Sequence, residues 1–65
     1  MSRDLENATK AAQSAALLCK DLSELFKSDN LLLSELAFAE LTLAANLRVR
    51  LERLQTHLKT MEARP

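Results

Sequence analysis

Residues Leu31 to Leu47, LLLSELAFAELTLAANL, decide the fold of this chain. Apart from a few polar residues, the stretch is apolar and consists mostly of helix formers. On a helical wheel at about 100° per residue, its apolar side chains divide into two groups. The broader face comprises Leu32, Leu33, Leu36, Ala37, Ala39, Leu43, Ala44 and Leu47. A helix that is apolar on two sides needs two coverings, and one neighbouring helix supplies only one.

A second apolar strip lies nearly opposite that broad face. Its members are Leu31, Phe38, Leu41, Ala45 and Val49. We interpret the strip either as the core of a homodimer or as a surface that captures another protein, as amphipathic helices commonly do. Both interpretations predict association with another chain, because exposed apolar patches of this size are typical of interaction surfaces.

Composition favours an all-α fold. The chain has 65 residues, 48% of them hydrophobic, with no Gly and a single Pro at position 65. Val occurs once and Ile never, whereas strong helix formers dominate. A chain this small usually needs a disulfide, a metal or oligomerisation for stability. Its single Cys excludes an intrachain disulfide, so we expect oligomerisation.

A heptad pattern predicts a first helix over about residues 3–27. Apolar or small residues recur at steps of three and four, and they are Leu5, Ala8, Ala12, Ala15, Cys19, Leu22 and Phe26. The pattern fails at residues 28–30, Ser-Asp-Asn, whose side chains compete for local backbone groups and favour a turn or a cap. Because no Gly or Pro interrupts the chain there, one continuous helix is the alternative.

The second helix is predicted over about residues 31–62. A turn as short as residues 28–30 makes the two helices antiparallel neighbours. We therefore expect one domain over residues 1–65, an antiparallel helical hairpin that dimerises into a four-helix bundle. Folding the chain about Asp29 places Phe26 against Leu32 and sets the broad face of the second helix against the first.

Charge is unevenly distributed along the chain. Residues 1–46 carry four bases and seven acids, whereas residues 47–65 carry five bases and two acids. The net charge is zero, which argues against electrostatic capture of nucleic acid by the whole molecule. Arg48, Arg50 and Arg53 are candidate contacts to a phosphate backbone. With acids nearby and no Tyr or Trp to stack on bases, a solvated helix face is the preferred interpretation.

Three isolated side chains are candidates for chemistry. Cys19 lies on the heptad seam, where a buried small hydrophobe is favoured over a reactive thiol. His57 is interpreted as a surface histidine, and one His with one Cys makes a poor metal site, so we expect no metal or cofactor. Glu40 interrupts the broad apolar face and must pair or reach solvent there. It is interpreted as fixing helix register or pairing across the dimer, with partner binding as the alternative.

The sequence contains no catalytic constellation. Acid–base or nucleophilic catalysis needs converging titratable groups, and this chain has one His, one Cys and no Gly-rich loop. We therefore expect a protein that is not an enzyme. The opening residues MSRDLEN lack the apolar core of a signal peptide, and no apolar run has the length of a membrane span. These features predict a cytoplasmic protein with no membrane partner.

In length and layout the chain resembles small plasmid- and phage-encoded helical-hairpin proteins. The resemblance is carried by an Ala- and Leu-rich helix through Phe26, a turn at residues 28–30 and a second helix with two apolar sides. The chain is similar to phage-encoded anti-activators, which implies a hairpin dimer that binds and disables a host quorum-sensing transcription factor. It also resembles the plasmid Rop family, which implies a dimeric four-helix bundle that binds paired RNA hairpins. Rop-type binding uses a basic face of the first helix with a Phe, whereas here that helix is neutral to acidic and Phe26 falls on its seam.

The sequence thus predicts a non-enzymatic dimeric module that binds another protein and inhibits or sequesters it, with a host transcription regulator as the partner class that the resemblance implies. One alternative is a Rop-like regulator that binds RNA or other nucleic acid through Arg48, Arg50 and Arg53. Another is a small type III secretion co-chaperone, since those proteins are also short hairpins.

Overall fold

The computed structural model describes residues 2–63 and shows two α-helices packed against each other as a hairpin. Helix α1 is Ser2–Phe26 and helix α2 is Leu31–Glu62. The prediction of an all-α fold with two packed helices is confirmed for this part of the chain. The hairpin is a thin rod with principal extents of 54 × 14 × 11 Å. Neither helix, over the residues described, combines the length and apolar character needed to cross a bilayer.

Helix α1 packs through the heptad seam that its sequence predicts. Ala8, Ala12, Ala15 and Cys19 are buried, and their steps of three and four keep them on one side of the helix. The opposite side is polar, where Lys10 Nζ lies 3.4 Å from Glu6 Oε1 in a solvent-exposed pair. The small residues therefore form the surface that meets α2.

The turn is held by side chains of Ser and Asn. Asn30 is the N-cap of α2, with φ −78° and ψ 109°, and its Oδ1 accepts the Leu33 N–H at 3.0 Å. Ser28 Oγ accepts the Asn30 N–H at 3.1 Å. Ser34 Oγ donates to the Phe26 carbonyl oxygen at 2.6 Å and ties the start of α2 to the end of α1. These bonds satisfy backbone groups that helix ends leave unpaired, so the chain reverses instead of continuing as one helix.

The helices are antiparallel, but their register differs from the predicted one. The Phe26 ring packs on Phe38, with ring centroids 5.4 Å apart, and Gln55 Nε2 donates to Thr9 Oγ1 at 3.1 Å. Phe26 therefore packs on a residue six positions further along α2 than Leu32, the predicted partner. Because Phe26 packs on Phe38, seven residues into α2, the first residues of α2 extend past the end of α1.

The buried residues between the helices are small, and five leucines are half-buried, namely Leu5, Leu22, Leu41, Leu51 and Leu58. Ala37 and Ala44 of α2 are buried against the alanine seam of α1, and no large side chain among the described residues is fully buried. Small residues on both helices let the backbones approach closely. The prediction that the whole broad face of α2 covers α1 is wrong, since Leu36 and Leu43 remain 58% and 65% exposed. Only the alanine edge of that face meets α1.

Candidate protein-interaction surfaces

One side of the hairpin, the leucine side, presents leucines from both helices. A shallow groove between the helices is lined by Leu18, Leu22, Glu40, Leu43, Ala44 and Leu47. Leu43 and Leu47 are 65% and 44% exposed, and Leu18 is also exposed. An apolar surface formed jointly by two helices has the character of an unfilled helix-packing site.

The part of this surface that lies on α2 follows a heptad. We name it the leucine seam, and its members are Leu36, Glu40, Leu43, Leu47, Arg50 and Leu54. The steps are four, three, four, three and four, which keeps the six side chains within a sector of about 80°. All six are solvent-exposed in the hairpin. The seam therefore has the spacing of a coiled-coil contact without a helix against it.

Two opposite charges interrupt the leucine seam. Glu40 lies in its turn-side half and Arg50 in its other half. Within residues 2–63 neither side chain forms an ion pair or a side-chain hydrogen bond, whereas Glu6, Glu24 and Glu52 each pair with a base of their own helix. Burying a charged side chain among leucines is costly unless the surface that packs on it supplies an opposite charge.

The opposite flank of the hairpin, the phenylalanine side, consists of Phe26, Leu31, Phe38, Ala45 and Val49. The packed rings of Phe26 and Phe38 are tilted by 39°, and with Leu31, Ser34 and Glu35 they line a second shallow groove near the turn. Leu31 is 74% exposed. This surface contains most of the strip singled out in the sequence, and its centre lies at the turn end.

The five residues of the predicted strip lie along α2 at helical spacing, but they differ in exposure. Leu31, Phe38, Ala45 and Val49 are exposed, but Leu41 is half-buried and lies one turn from both Ala37 and Ala44, on the side that meets α1. Phe26 of α1 also lies on the phenylalanine side, where its ring contacts Phe38. Sequence reasoning missed Phe26 there because the heptad assigned it to the helix–helix seam, and only the register of the hairpin brings it to Phe38.

The three candidate arginines do not share a surface. Arg48 Nε donates to Glu52 Oε2 at 3.1 Å, and both side chains are about half exposed. Arg50 lies about 160° around the helix from Arg48, on the leucine seam, and Arg53 lies about 60° beyond Arg50. Arginines that follow a nucleic-acid backbone need to project together. The hairpin by itself does not assemble Arg48, Arg50 and Arg53 into such a strip.

The remaining titratable residues have ordinary surroundings. Cys19 is a free thiol buried on the α1 seam, which confirms its interpretation as a small core residue. His57 is exposed. The described residues contain no group of three His, Cys, Asp or Glu side chains placed to hold a metal ion.

No protein-family model, no curated protein and no solved structure matches the chain.

Proposed function

We propose that this chain is a non-enzymatic binding module, a hairpin that dimerises into a four-helix bundle and binds another protein to inhibit or sequester it. One observation carries the proposal: the buried side chains are alanines and Cys19, while most of the leucines and both phenylalanines keep more than a third of their surface in solvent. Large apolar side chains on the outside of so small a chain are typical of surfaces that pack against other chains.

The accessible area of the hairpin supports this proposal. The chain exposes 5219 Å². A compact globular protein of 7.3 kDa is expected to expose about 4,200 Å². The excess of about 1,000 Å² per chain is close to the roughly 800 Å² per partner that a stable interface buries. A second copy on one apolar side would therefore bring the exposed area into the range of a compact fold.

The second apolar side gives the module its binding function. A hairpin dimer that uses one side for self-association keeps the other side of each subunit for a different protein. The resemblance to phage anti-activators favours a transcription regulator as that protein and favours binding in the cytoplasm.

Sedimentation of paired variants tests the dimer. Leu43→Asp places a carboxylate on the leucine side, and Leu17→Asp places the same group at a position that is 61% exposed and outside the groove. We expect the wild type and Leu17→Asp to be dimers at micromolar concentration and Leu43→Asp to be a monomer with reduced helicity. A compact, fully helical wild-type monomer at that concentration would contradict the proposal.

Binding to RNA and DNA over a salt series separates this function from the nucleic-acid alternative. Contacts of Arg48, Arg50 and Arg53 with phosphates would give an affinity that falls steeply with salt. The proposal predicts no saturable binding at physiological ionic strength. Steeply salt-dependent binding that is lost when Arg50 and Arg53 are replaced by Ala would favour the alternative.

A further inference from the structure

The spacing of the leucine seam is symmetric about its central position. From Leu36 to Leu54 the spacing is four, three, four, three, four, and the centre of this pattern falls at Ala45. Leucines lie at matching distances on either side of the centre. The charges are also matched, because Glu40 lies five residues before Ala45 and Arg50 lies five residues after it.

We propose that a second copy of this chain packs on the leucine side head to tail, with the turn of each hairpin over the open end of the other. This arrangement specifies the dimer proposed above and rests on it. A two-fold axis level with Ala45 places α2 antiparallel to α2 of the partner subunit. Leu43 then meets Leu47 of the partner subunit, Leu36 meets Leu54 of the partner subunit, and Glu40 meets Arg50 of the partner subunit.

Helix α1 fits the same axis. The contacts between Phe26 and Phe38 and between Thr9 and Gln55 place Leu18 nearly level with Ala45. Leu18 therefore faces Leu18 of the partner subunit across the two-fold axis. On either side of it, Ala11 and Ser14 lie opposite the larger Leu25 and Leu22 of the partner subunit. Small side chains facing large ones allow the two α1 helices to interdigitate.

The distribution of charge favours this orientation over the one with both turns at the same end. Residues 19–45, which form the turn half, carry five acids and two bases, whereas the rest of the chain carries seven bases and four acids. Head-to-tail packing sets the acidic half of each hairpin against the basic half of the other, and like charges meet in the alternative orientation. With the turns together, α2 would also lie on α1 of the partner subunit and Glu40 would not reach Arg50.

A charge-reversal cycle tests the central pair. Glu40→Arg or Arg50→Glu alone brings like charges together at two symmetric places, and we expect each to raise the dimer dissociation constant at least about tenfold. The double variant restores opposite charges, and we expect its dissociation constant to return to within about threefold of the wild type. Glu35→Arg with Arg53→Glu is the matched control, because both positions lie off the seam.

Disulfide trapping tests the axis. In a Cys19→Ala background, Leu18→Cys is expected to form a covalent dimer under mild oxidation, since the two thiols meet at the two-fold axis. Leu17→Cys, its neighbour on the outer surface, is expected to stay monomeric on a non-reducing gel. Equal trapping of both variants, or of neither, would overturn the arrangement.

The outcomes separate this arrangement from the binding function that it specifies. If the wild type sediments as a monomer, both the dimer and the head-to-tail arrangement are ruled out. If the wild type is a dimer but Leu18→Cys is not trapped and the double charge variant does not recover, only the head-to-tail arrangement is ruled out. A dimer that survives Leu43→Asp but is lost on Phe38→Asp places the second copy on the phenylalanine side and likewise overturns the arrangement.

Discussion

The interface between the helices and the leucine side differ in the size of their side chains. Alanines such as Ala15 and Ala44 are buried between α1 and α2, while Leu43 and Leu47, on the same helix as Ala44, face solvent. Burying an alanine removes little apolar area, whereas burying a leucine fully stabilises by about 1.5–3 kcal/mol. The hairpin therefore buries its small residues within one chain and leaves many of its larger residues exposed, and under the proposed function these contact other chains.

The largest expected effect comes from charging the alanine interface. Ala44→Asp buries a carboxylate without a partner, and we expect it to destabilise the fold by about 3 kcal/mol or more. Circular dichroism should show loss of helix at 25 °C and at every protein concentration. Ala45→Asp, which moves the same change one residue along to an exposed position, should leave most of the helix intact. Equal loss in both variants would show that the alanine interface has no special role.

Truncating the leucine side should act through the dimer. Leu47→Ala is expected to cost about 2 kcal/mol per subunit once the dimer has formed, because the part of the side chain that is exposed in the hairpin is desolvated only there. The midpoint of thermal unfolding should then shift most at protein concentrations at which the wild type is dimeric. Leu17→Ala serves as the control on the outer surface. A shift of the same size for Leu17→Ala would contradict the distinction between the two positions.

Truncating the phenylalanine side tests whether the opposite flank of the hairpin contributes to self-association. Phe38→Ala removes the contact with Phe26 and is expected to cost about 1 kcal/mol of stability, the usual range for an aromatic pair. Unlike that of Leu47→Ala, this loss should not change the dissociation constant of the dimer, while binding of the proposed partner protein should be lost. A weaker dimer in Phe38→Ala would move self-association to the phenylalanine side.

The smallest effect is expected at the exposed ion pair of Arg48 and Glu52. Arg48→Ala should change the free energy of unfolding by no more than about 0.5 kcal/mol, since exposed pairs contribute little. Arg50→Ala changes the same residue type two positions along and should weaken the dimer measurably. Equal dissociation constants for the two variants, measured by sedimentation, would mean that Arg50 has no special place on the seam.

The sequence predicted the helices and the α1 seam because both depend on local spacing. Ala8, Ala12, Ala15 and Cys19 are buried at the steps that the heptad requires. Folding the chain about Asp29 predicts the wrong register, because the first residues of α2 extend past the end of α1 and Phe26 packs on Phe38.

The division of apolar residues between the two sides could not be predicted from periodicity. A helical wheel shows which residues share a face but not which face meets a helix of the same chain. The sequence pattern places the broad apolar face of α2 against α1, yet only Ala37 and Ala44 of that face are buried. The deciding factor is the matching of small residues on both helices, which allows closer approach than leucine against alanine.

The rod shape of the hairpin limits how completely a large side chain can be buried within one chain. Two cylinders that touch side by side share only a line, and in a body 11 Å across in its thinnest direction only small residues along that line are enclosed. A leucine on such a body cannot be shielded by repacking, whatever rotamer it takes. An enclosed apolar volume large enough for leucines would form where a third helix packs into the groove between the first two.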